Sequence, residues 1–273
     1  MKKIVTLLMF FVGFFAQAKP LNITPLSDSL FMLQGSGGNI AAFIGDDGVL
    51  IVDDQYAKSA PFIEQALATI TKKKVNYIVN THYHGDHTGS NAHFGDSATI
   101  YAQHNVRIRL QSQSDLPATA LPKITYQDGI KVFINNDEIQ VIHLANGHTD
   151  GDSILWWPHQ NVLHTGDLFF NGRFPYIDLK AGGTVAGYIG NIEHMLTMLN
   201  DDSFIVPGHG DLANKSELQQ FLNMIKATRD YVAAQKQSGK TLEQAINEGL
   251  PAQFDKYSWQ FISTKKWITT LWQ

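Results

Sequence analysis

The chain has 273 residues, of which 44% are hydrophobic and 17% are charged, and its formal net charge is −4 at pH 7. This composition supports a large buried core, and it excludes intrinsic disorder and collagen-like repeats. The sequence contains no cysteine, which excludes disulfides, thiolate metal ligands and a cysteine nucleophile. No basic stripe is visible, so we expect no nucleic-acid partner.

The N-terminus has the layout of an export signal. Lys2 and Lys3 precede an apolar stretch from Ile4 to Ala16, and Ala16-Gln17-Ala18 matches the small-x-small pattern that signal peptidases cleave. We interpret residues 1–18 as a signal peptide and expect a periplasmic or secreted protein with no stable membrane insertion after cleavage. An uncleaved anchor is the alternative, but the apolar run is shorter than the roughly 20 residues that span a bilayer.

The residues after Pro20 form two halves with the same predicted order of elements. In each half, short apolar runs between turn residues indicate strands, which are followed by an amphipathic helix, a last strand and a histidine. The strands of the first half are predicted at Ser29–Gln34, Asn39–Ile44, Val49–Val52 and Val75–Val79, with a helix at Ser59–Lys72. Those of the second half are predicted at Ile130–Ile134, Ile139–Leu144, Ser153–Trp157, Asn161–His164 and Phe204–Val206, with a helix near Thr184–Leu199. We therefore expect two packed sheets, the first of which starts as an antiparallel meander, with helices outside and histidine loops along one edge.

Beyond Ala213 the pattern is helical. An amphipathic helix is predicted at Ser216–Gln235, a shorter one at Thr241–Glu248, and the segment Trp259–Trp272 carries aromatic residues that we interpret as packing. The expected fold class is therefore α+β, as one domain over residues 19–273 with a helical tail from about residue 213.

Three of the 11 histidines lie within six residues, in the segment His82-Tyr83-His84-Gly85-Asp86-His87. On an extended loop alternate side chains point the same way, so His82 and His84 can share one ion while Asp86 and His87 turn toward a neighbouring position. Gly85 would allow the sharp turn between the two pairs. For this segment alone, a histidine-rich surface loop that binds metal only incidentally is the alternative.

Three further segments weaken that alternative. Gly147-His148-Thr149, Thr165-Gly166-Asp167 and Gly208-His209-Gly210 each follow a predicted strand, and loops at strand ends commonly carry catalytic groups. Five imidazoles and two carboxylates are enough ligands for two metal ions with open positions, which indicates catalysis rather than a closed structural site. Nitrogen and oxygen ligands suit zinc best, with iron or manganese as alternatives.

The run HxHxDH, followed by a distant His, an Asp and a last His, resembles the metallo-β-lactamase superfamily. The resemblance covers roughly residues 27–212, and it implies a four-layer αβ/βα sandwich and a hydrolase with two metal ions. It implies that the first ion is held by His82, His84 and His148, that the second is held by Asp86, His87 and His209, and that Asp167 bridges them. It also implies that Asp53 supports the histidine loop, although Asp54 stands beside it.

Two ions that share one water lower its pKa toward about 7, which creates a hydroxide at neutral pH, and they polarise a substrate carbonyl. The implied reaction is hydrolysis of an ester, amide, lactone or thioester bond in a small-molecule substrate. Asp86 is the expected catalytic residue, because its carboxylate could orient the hydroxide or carry its proton to the leaving group.

Two alternative functions stay open. Asn80–Phe94 and Gly147–Trp157 resemble the secreted class B β-lactamases in particular, so hydrolysis of β-lactam antibiotics is one alternative. Against it, Asp167 stands where the main subclass has a cysteine, and only Gln34–Asn39 stands where a longer apolar flap is usual. The other alternative is a non-catalytic exported metal-binding protein, although no ligand is missing.

Residues after Asp167 are candidates for the substrate pocket. Phe174 and Tyr176 could form a pocket wall or belong to the core. The substrate-binding lysine of the class B β-lactamases has no clear counterpart, and Arg173 and Lys180 are the candidates for its role.

Overall fold

Two β-sheets lie at the centre of the fold. The computed structural model describes residues 21–273, so the signal peptide predicted at residues 1–18 lies outside the described residues. The first sheet has seven strands in the order β1 to β7, which are Asn22–Pro25, Leu30–Gln34, Ile40–Gly45, Gly48–Val52, Val75–Asn80, Thr99–Gln103 and Ile124–Tyr126. The second sheet has five strands, which are β8 (Gly129–Ile134), β9 (Asp137–His143), β10 (Ser153–Trp157), β11 (Val162–His164) and β12 (Phe204–Val206), arranged in the reverse order β12 to β8.

Helices cover the outer faces of both sheets. They are α1 (Ala60–Ala68), α2 (Gly85–Thr88), α3 (Asn91–Phe94), α4 (His104–Gln111), α5 (Val185–Met198), α6 (Lys215–Gln237), α7 (Leu242–Glu248) and α8 (Thr264–Leu271). Asn214 caps α6 in a reciprocal arrangement with Glu217, which fixes where this long helix begins. Within residues 21–273, no helix combines the length and the apolar character that crossing a bilayer requires.

The alternation of side chains along each strand divides the core into layers. Leu50 and Phe43 face the second sheet, where Leu155 and Trp157 meet them in one fully buried cluster. The neighbouring residue Ile51 faces the opposite way, toward a cluster that includes residues of α1 and α3. A third cluster joins the outer face of the second sheet to α5, α6 and α8. The resulting order of helix, sheet, sheet and helix confirms the predicted α+β sandwich.

Most predicted elements agree with the observed ones to within two residues. The strands β2, β3 and β4 form the predicted antiparallel meander. The helix predicted at Ser59–Lys72 ends early, at Ala68, where Thr69 Oγ1 donates a hydrogen bond to the Ala66 carbonyl oxygen at 2.7 Å. The segment Trp259–Trp272 is helical only from Thr264 to Leu271.

Strand direction brings the predicted site residues to one edge. β4 and β5 run parallel, and their carboxyl ends lead directly into Asp53 and the histidine motif. β11 and β12 also run parallel, and they end just before Asp167 and His209. β9 runs in the same direction as β11, because each pairs antiparallel with β10, and it leads toward His148. Carboxyl ends of neighbouring parallel strands form a common crevice.

Candidate metal centre

The histidine motif changes from extended chain to helix at His84. This residue has φ −64° and ψ 146° and is the N-cap of α2, so His82 and His84 leave an extended segment while Asp86 and His87 leave a helical turn. The extended geometry predicted for this loop therefore holds up to His84, and the two pairs diverge after it. Gly85 has no positive φ, so the turn does not depend on glycine there.

One group of side chains consists of His82, His84, His148 and Asp167, whose ligand atoms all lie within 4.8 Å of one another. His84 Nδ1 lies 3.1 Å from His82 Nε2 and 2.8 Å from His148 Nε2. Asp167 Oδ2 lies 3.8 Å from His82 Nε2 and 3.4 Å from His148 Nε2. Three ring nitrogens and one carboxylate oxygen therefore converge on one position.

A second group consists of Asp86, His87 and His209, again within 4.8 Å. Asp86 Oδ2 lies 3.3 Å from His209 Nε2 and 3.7 Å from His87 Nε2. The other oxygen of Asp167, Oδ1, lies 3.0 Å from His87 Nε2 and 3.4 Å from His209 Nε2. Asp167 thus lies between the groups with one oxygen toward each, and all seven predicted ligands are brought together.

The two groups differ in charge when no ion is bound. Burial lowers the pKa of His82, and it lowers that of His148 to about 4. Burial would also lower the pKa values of His87 and His209, but nearby carboxylates led by Asp167 outweigh it, so the pKa of His87 lies well above its usual range and that of His209 is about 9. Burial would raise the pKa of Asp167, but the surrounding imidazoles hold it well below its usual range.

The polar atoms of these groups fit metal ions. His87 Nε2 and Asp167 Oδ1 are buried and lack hydrogen-bond partners within residues 21–273, although they are 3.0 Å apart. His84 Nδ1 lies at hydrogen-bond distance from two other ring nitrogens, and one proton cannot serve both contacts. Divalent cations accept lone pairs from such atoms, and a donor set of imidazoles and carboxylates suits zinc.

The sequence can be compared with known proteins on this basis. A sequence model described as the metallo-beta-lactamase superfamily matches residues 34–209. The chain belongs to this superfamily. This membership confirms the family resemblance that the HxHxDH motif indicates. It also confirms the predicted class of enzyme, a metal-dependent hydrolase.

Individual relatives in the superfamily are distant. The chain is 29% identical over 193 residues to the 2,4-dinitroanisole O-demethylase subunit alpha of Nocardioides sp. (strain JS1661), a match that covers 68% of this chain and 57% of that protein. It is 22% identical over 206 residues to a metallo-beta-lactamase type 2 of Bacteroides fragilis, covering 70% of this chain and 80% of that enzyme.

Solved structures share the superfamily fold. The DIM-1 metallo-beta-lactamase matches with a TM-score of 0.66 at 17% identity, covering 77% of this chain and 99% of that one. A double mutant of the sec-alkyl sulfatase PisA1 matches with a TM-score of 0.72 at 15% identity, covering 93% of this chain and 50% of that one. These likenesses support the predicted αβ/βα sandwich and carry no information on substrate.

Asp53 has the contacts expected of a residue that supports the superfamily motif. Its Oδ1 accepts a hydrogen bond from the Thr81 backbone N–H at 2.7 Å, and its Oδ2 lies 2.8 Å from Thr81 Oγ1 and 2.7 Å from His87 Nδ1. Asp53 is fully buried and has φ 63°. Asp54 instead accepts from the Ser90 backbone N–H at 2.9 Å. Asp53 therefore orients His87 so that Nε2 faces the second group.

A carboxylate behind His84 was missed by sequence analysis. Asp178 Oδ2 lies 3.1 Å from His84 Nε2 and accepts a hydrogen bond from Tyr83 Oη at 2.8 Å. This contact leaves His84 Nδ1 facing the first group, and His148 Nδ1 is similarly engaged, 2.7 Å from the Tyr176 carbonyl oxygen. No local pattern could have linked Asp178 to the motif, because the His84 contact spans 94 residues of sequence.

A cavity of about 770 Å³ opens over both groups, and His84, Asp86, Asp167 and His209 contribute to its lining. Arg173 and Tyr176 also line it, whereas Lys180 does not. Phe174 is fully buried and stacks on Trp267 with ring centroids 5.7 Å apart, so of the two places left open for it, the core is the observed one.

The C-terminal tryptophans have different positions. Trp267 is fully buried in the core, as the packing prediction requires. Trp259 packs against the same core but also lines the cavity, together with Phe261. The interpretation of these aromatic residues as packing therefore holds for Trp267 and Trp259 and is wrong for Phe261, which is 51% exposed.

Proposed function

We propose that this chain is an exported hydrolase that binds two zinc ions and cleaves an ester, amide, lactone or thioester bond in a small molecule. The observation that carries the proposal is the position of Asp167. One carboxylate oxygen lies 3.4 Å from His148 Nε2 and the other lies 3.0 Å from His87 Nε2, as expected of a carboxylate shared by two ions.

The first ion would be held by His82, His84 and His148, and the second by Asp86, His87 and His209, with Asp167 between them. When bound, the two ions would supply Lewis acidity and would lower the pKa of an associated water toward about 7. This chemistry makes a protein nucleophile unnecessary.

Asp86 is the proposed catalytic residue of this chain. Its carboxylate is partly exposed, in contrast to that of Asp167, and it lines the cavity. Burial raises the pKa of Asp86, but His87 and His209 outweigh burial and leave the pKa below its usual range. A carboxylate that stays ionised at the cavity floor can orient a water molecule by accepting its hydrogen bond, and it can pass a proton to the leaving group.

The decisive experiment is a substrate screen with the zinc-loaded protein of residues 19–273. The panel contains esters, lactones, thioesters and amides, and the metal-free protein and His84→Ala are the controls. We expect zinc-dependent turnover of at least one class and close to two zinc ions per chain by elemental analysis. A wild-type protein that binds one ion in excess zinc would refute the two-ion proposal. Two bound ions without turnover on any substrate class would favour the non-catalytic alternative.

A second candidate function is hydrolysis of β-lactams, and the relatives named metallo-beta-lactamase type 2 favour it. Two features argue against it. Asp167 occupies the position of a cysteine in the main subclass, and the connection between β2 and β3 is short and glycine-rich, running from Gly35 to Asn39. Adding penicillins, cephalosporins and carbapenems to the screen separates the two candidates. The relative named as an O-demethylase also justifies including aryl methyl ethers.

Export is proposed from the N-terminal sequence alone. Mass spectrometry of the protein expressed from the full-length gene should find Lys19 as the first residue of the periplasmic or secreted form. Membrane-bound protein that retains Met1 would instead support the uncleaved anchor.

A further inference from the structure

Four aromatic side chains form a continuous series along one side of the cavity, and we call this series the aromatic arc. It consists of Phe170, Trp259, Phe261 and Tyr176, all of which line the cavity. Phe170 and Tyr176 lie within the segment matched by the superfamily, whereas Trp259 and Phe261 lie beyond residue 209, where that match ends.

The arc begins beside the second group of candidate ligands. The Phe170 ring stacks on His209 with centroids 5.1 Å apart and an interplanar angle of 21°. Trp259 follows at 6.3 Å from Phe170, and Phe261 lies 5.5 Å from Trp259. These distances are typical of aromatic contacts.

The arc ends beside the first group. Phe261 meets Tyr176 edge-on at 5.3 Å, and the Tyr176 ring lies 5.7 Å from that of His84. The arc therefore connects a ligand of one proposed ion to a ligand of the other. A flat substrate group that lies against the arc would place its reactive bond between the two positions.

The loop that carries Trp259 and Phe261 is held in place by the core. Trp259 Nε1 donates a hydrogen bond to the Phe174 carbonyl oxygen at 2.9 Å, and the Trp259 N–H donates to the Ile262 carbonyl oxygen at 3.1 Å. Ile262 is almost fully buried, but the Phe261 side chain between these anchors is 51% exposed. The Lys266 ammonium lies 3.9 Å from the Phe261 ring centroid and 5.1 Å from that of Tyr176, so this end of the arc also carries a positive charge.

Arg173 lies against this arc and provides a positive charge. Its guanidinium carbon is 5.0 Å from the Trp259 ring centroid. Within residues 21–273, the guanidinium has no ion pair and no hydrogen bond. The carboxylate of Asp178, which also lines the cavity, contacts Tyr83 and His84 instead of Arg173. An arginine stacked on an aromatic face keeps its N–H edge free to bind an anion.

We propose that the aromatic arc and Arg173 form the substrate-binding wall of this hydrolase, and that the wall selects substrates with a flat aromatic group that carries an anionic substituent. The aromatic group packs against Trp259 and Phe261, and the anion binds Arg173. This inference rests on the proposed hydrolase function, and it assigns substrate selection to residues beyond the matched superfamily segment.

Binding of a non-reactive probe tests the wall directly. The probe is naphthalene-2-sulfonate, with methanesulfonate as the anion without a ring and N,N-dimethylnaphthalene-2-sulfonamide as the ring without a charge. Calorimetry on zinc-loaded and metal-free protein should show that naphthalene-2-sulfonate binds at least about tenfold more tightly than either comparison compound. This expectation follows from adding one aromatic contact to one charge-assisted contact.

Variants identify the residues responsible. Phe261→Ala should weaken probe binding by about threefold to tenfold, while Phe261→Tyr, which keeps the ring, should bind as the wild type does. Arg173→Gln should bind the charged probe about threefold to tenfold more weakly, while binding of the neutral one is unchanged. The matched controls are Phe133→Ala and Arg229→Gln, which change residues outside the cavity lining and should leave the affinity unchanged. Unchanged affinity in both Phe261→Ala and Arg173→Gln would overturn the proposal.

Kinetics separate this proposal from the proposed function. The ratio of kcat/KM for 4-sulfophenyl acetate to that for phenyl acetate should fall about tenfold in Arg173→Gln, mostly through KM. Hydrolysis of both esters with the same ratio in wild type and variant would overturn the wall but leave the hydrolase intact. If the probe binds as predicted but no ester is hydrolysed, the wall is supported as a binding site and the proposed hydrolase function is contradicted.

Discussion

Replacing Asp53 with asparagine should weaken binding of the proposed second zinc ion while leaving the fold intact. Asp53 Oδ2 lies 2.7 Å from His87 Nδ1 and accepts from Thr81 Oγ1 at 2.8 Å, and Oδ1 accepts from the Thr81 N–H at 2.7 Å. An asparagine can accept with only one oxygen, so either orientation of its amide sets an NH₂ group against a donor. Asparagine tolerates φ 63° as well as aspartate does, so no backbone strain is added.

The expected loss of zinc affinity in Asp53→Asn follows from the tautomer of His87. When an ion occupies the second position, Asp53 keeps the remaining His87 proton on Nδ1, so the lone pair of Nε2 is available on the side of Asp167 and His209. An amide donor at the Oδ2 position favours the other tautomer, which puts the proton on Nε2 and blocks it as a ligand. Loss of such a supporting carboxylate typically lowers metal affinity about 10-fold to 100-fold. A buried donor without a partner costs about 1–3 kcal/mol in the free energy of unfolding.

The assay is a zinc titration in competition with a chromophoric chelator, together with urea unfolding. Asp54→Asn is the matched control, because Asp54 is equally buried but its carboxyl accepts a single hydrogen bond, from the Ser90 N–H, and its Oδ2 has no partner within residues 21–273. Burial raises the pKa of Asp54 well above its usual range, so this substitution changes less charge. Equal loss of the second ion in both variants, or no loss in Asp53→Asn, would refute the reasoning.

Three further predictions test the centre and the core. Asp167→Asn should weaken zinc binding by more than the roughly 10-fold to 100-fold that loss of a supporting residue costs, and it should nearly abolish turnover without unfolding the protein; wild-type zinc content and turnover would exclude the bridging role. Phe174→Ala should lower the free energy of unfolding by about 3–5 kcal/mol, because the ring is fully buried; urea denaturation measures this, and a loss below about 1 kcal/mol would contradict the core assignment. Zinc loading at pH 7 should release a proton from His209. In the metal-free state nearby Asp167 outweighs burial and holds the pKa of His209 at about 9, so its ring is protonated at pH 7. A histidine nitrogen must lose its proton before it can bind zinc. Calorimetry in buffers of different ionisation enthalpy counts the protons, and equal release by His209→Gln would contradict the assignment.

Sequence patterns predicted those parts of the fold that depend on the spacing of residues within one strand, turn or helix. The meander β2–β4 could be predicted because apolar runs alternate with glycine-rich turns, and α6 could be predicted because its apolar face repeats every three to four residues. The end of α1 could not, since Thr69 bonds the Ala66 carbonyl in competition with the helix. β6 and β7 were not predicted although turn residues stand beside them, at Gly95-Asp96-Ser97 and Asp128-Gly129. They are short strands whose identity depends on parallel pairing across the sheet, β6 with β5 and β7 with β6.

The seven candidate ligands could be predicted for a related reason. Each stands directly beyond a strand or within one short motif, so the order of the chain is enough to bring them to one edge of the sheets.

The substrate wall has no such local marker. Nothing in the local sequence distinguishes Trp259 from Trp267. Hydrogen bonds to the Ile262 and Phe174 carbonyl oxygens hold Trp259 beside the cavity, whereas Trp267 is buried in the core. Two chains with the same seven ligands can therefore differ in substrate through a C-terminal loop that contributes nothing to the metal motif. Superfamily membership assigns the chemistry of the centre, and the choice of substrate depends on contacts that only the folded chain brings together.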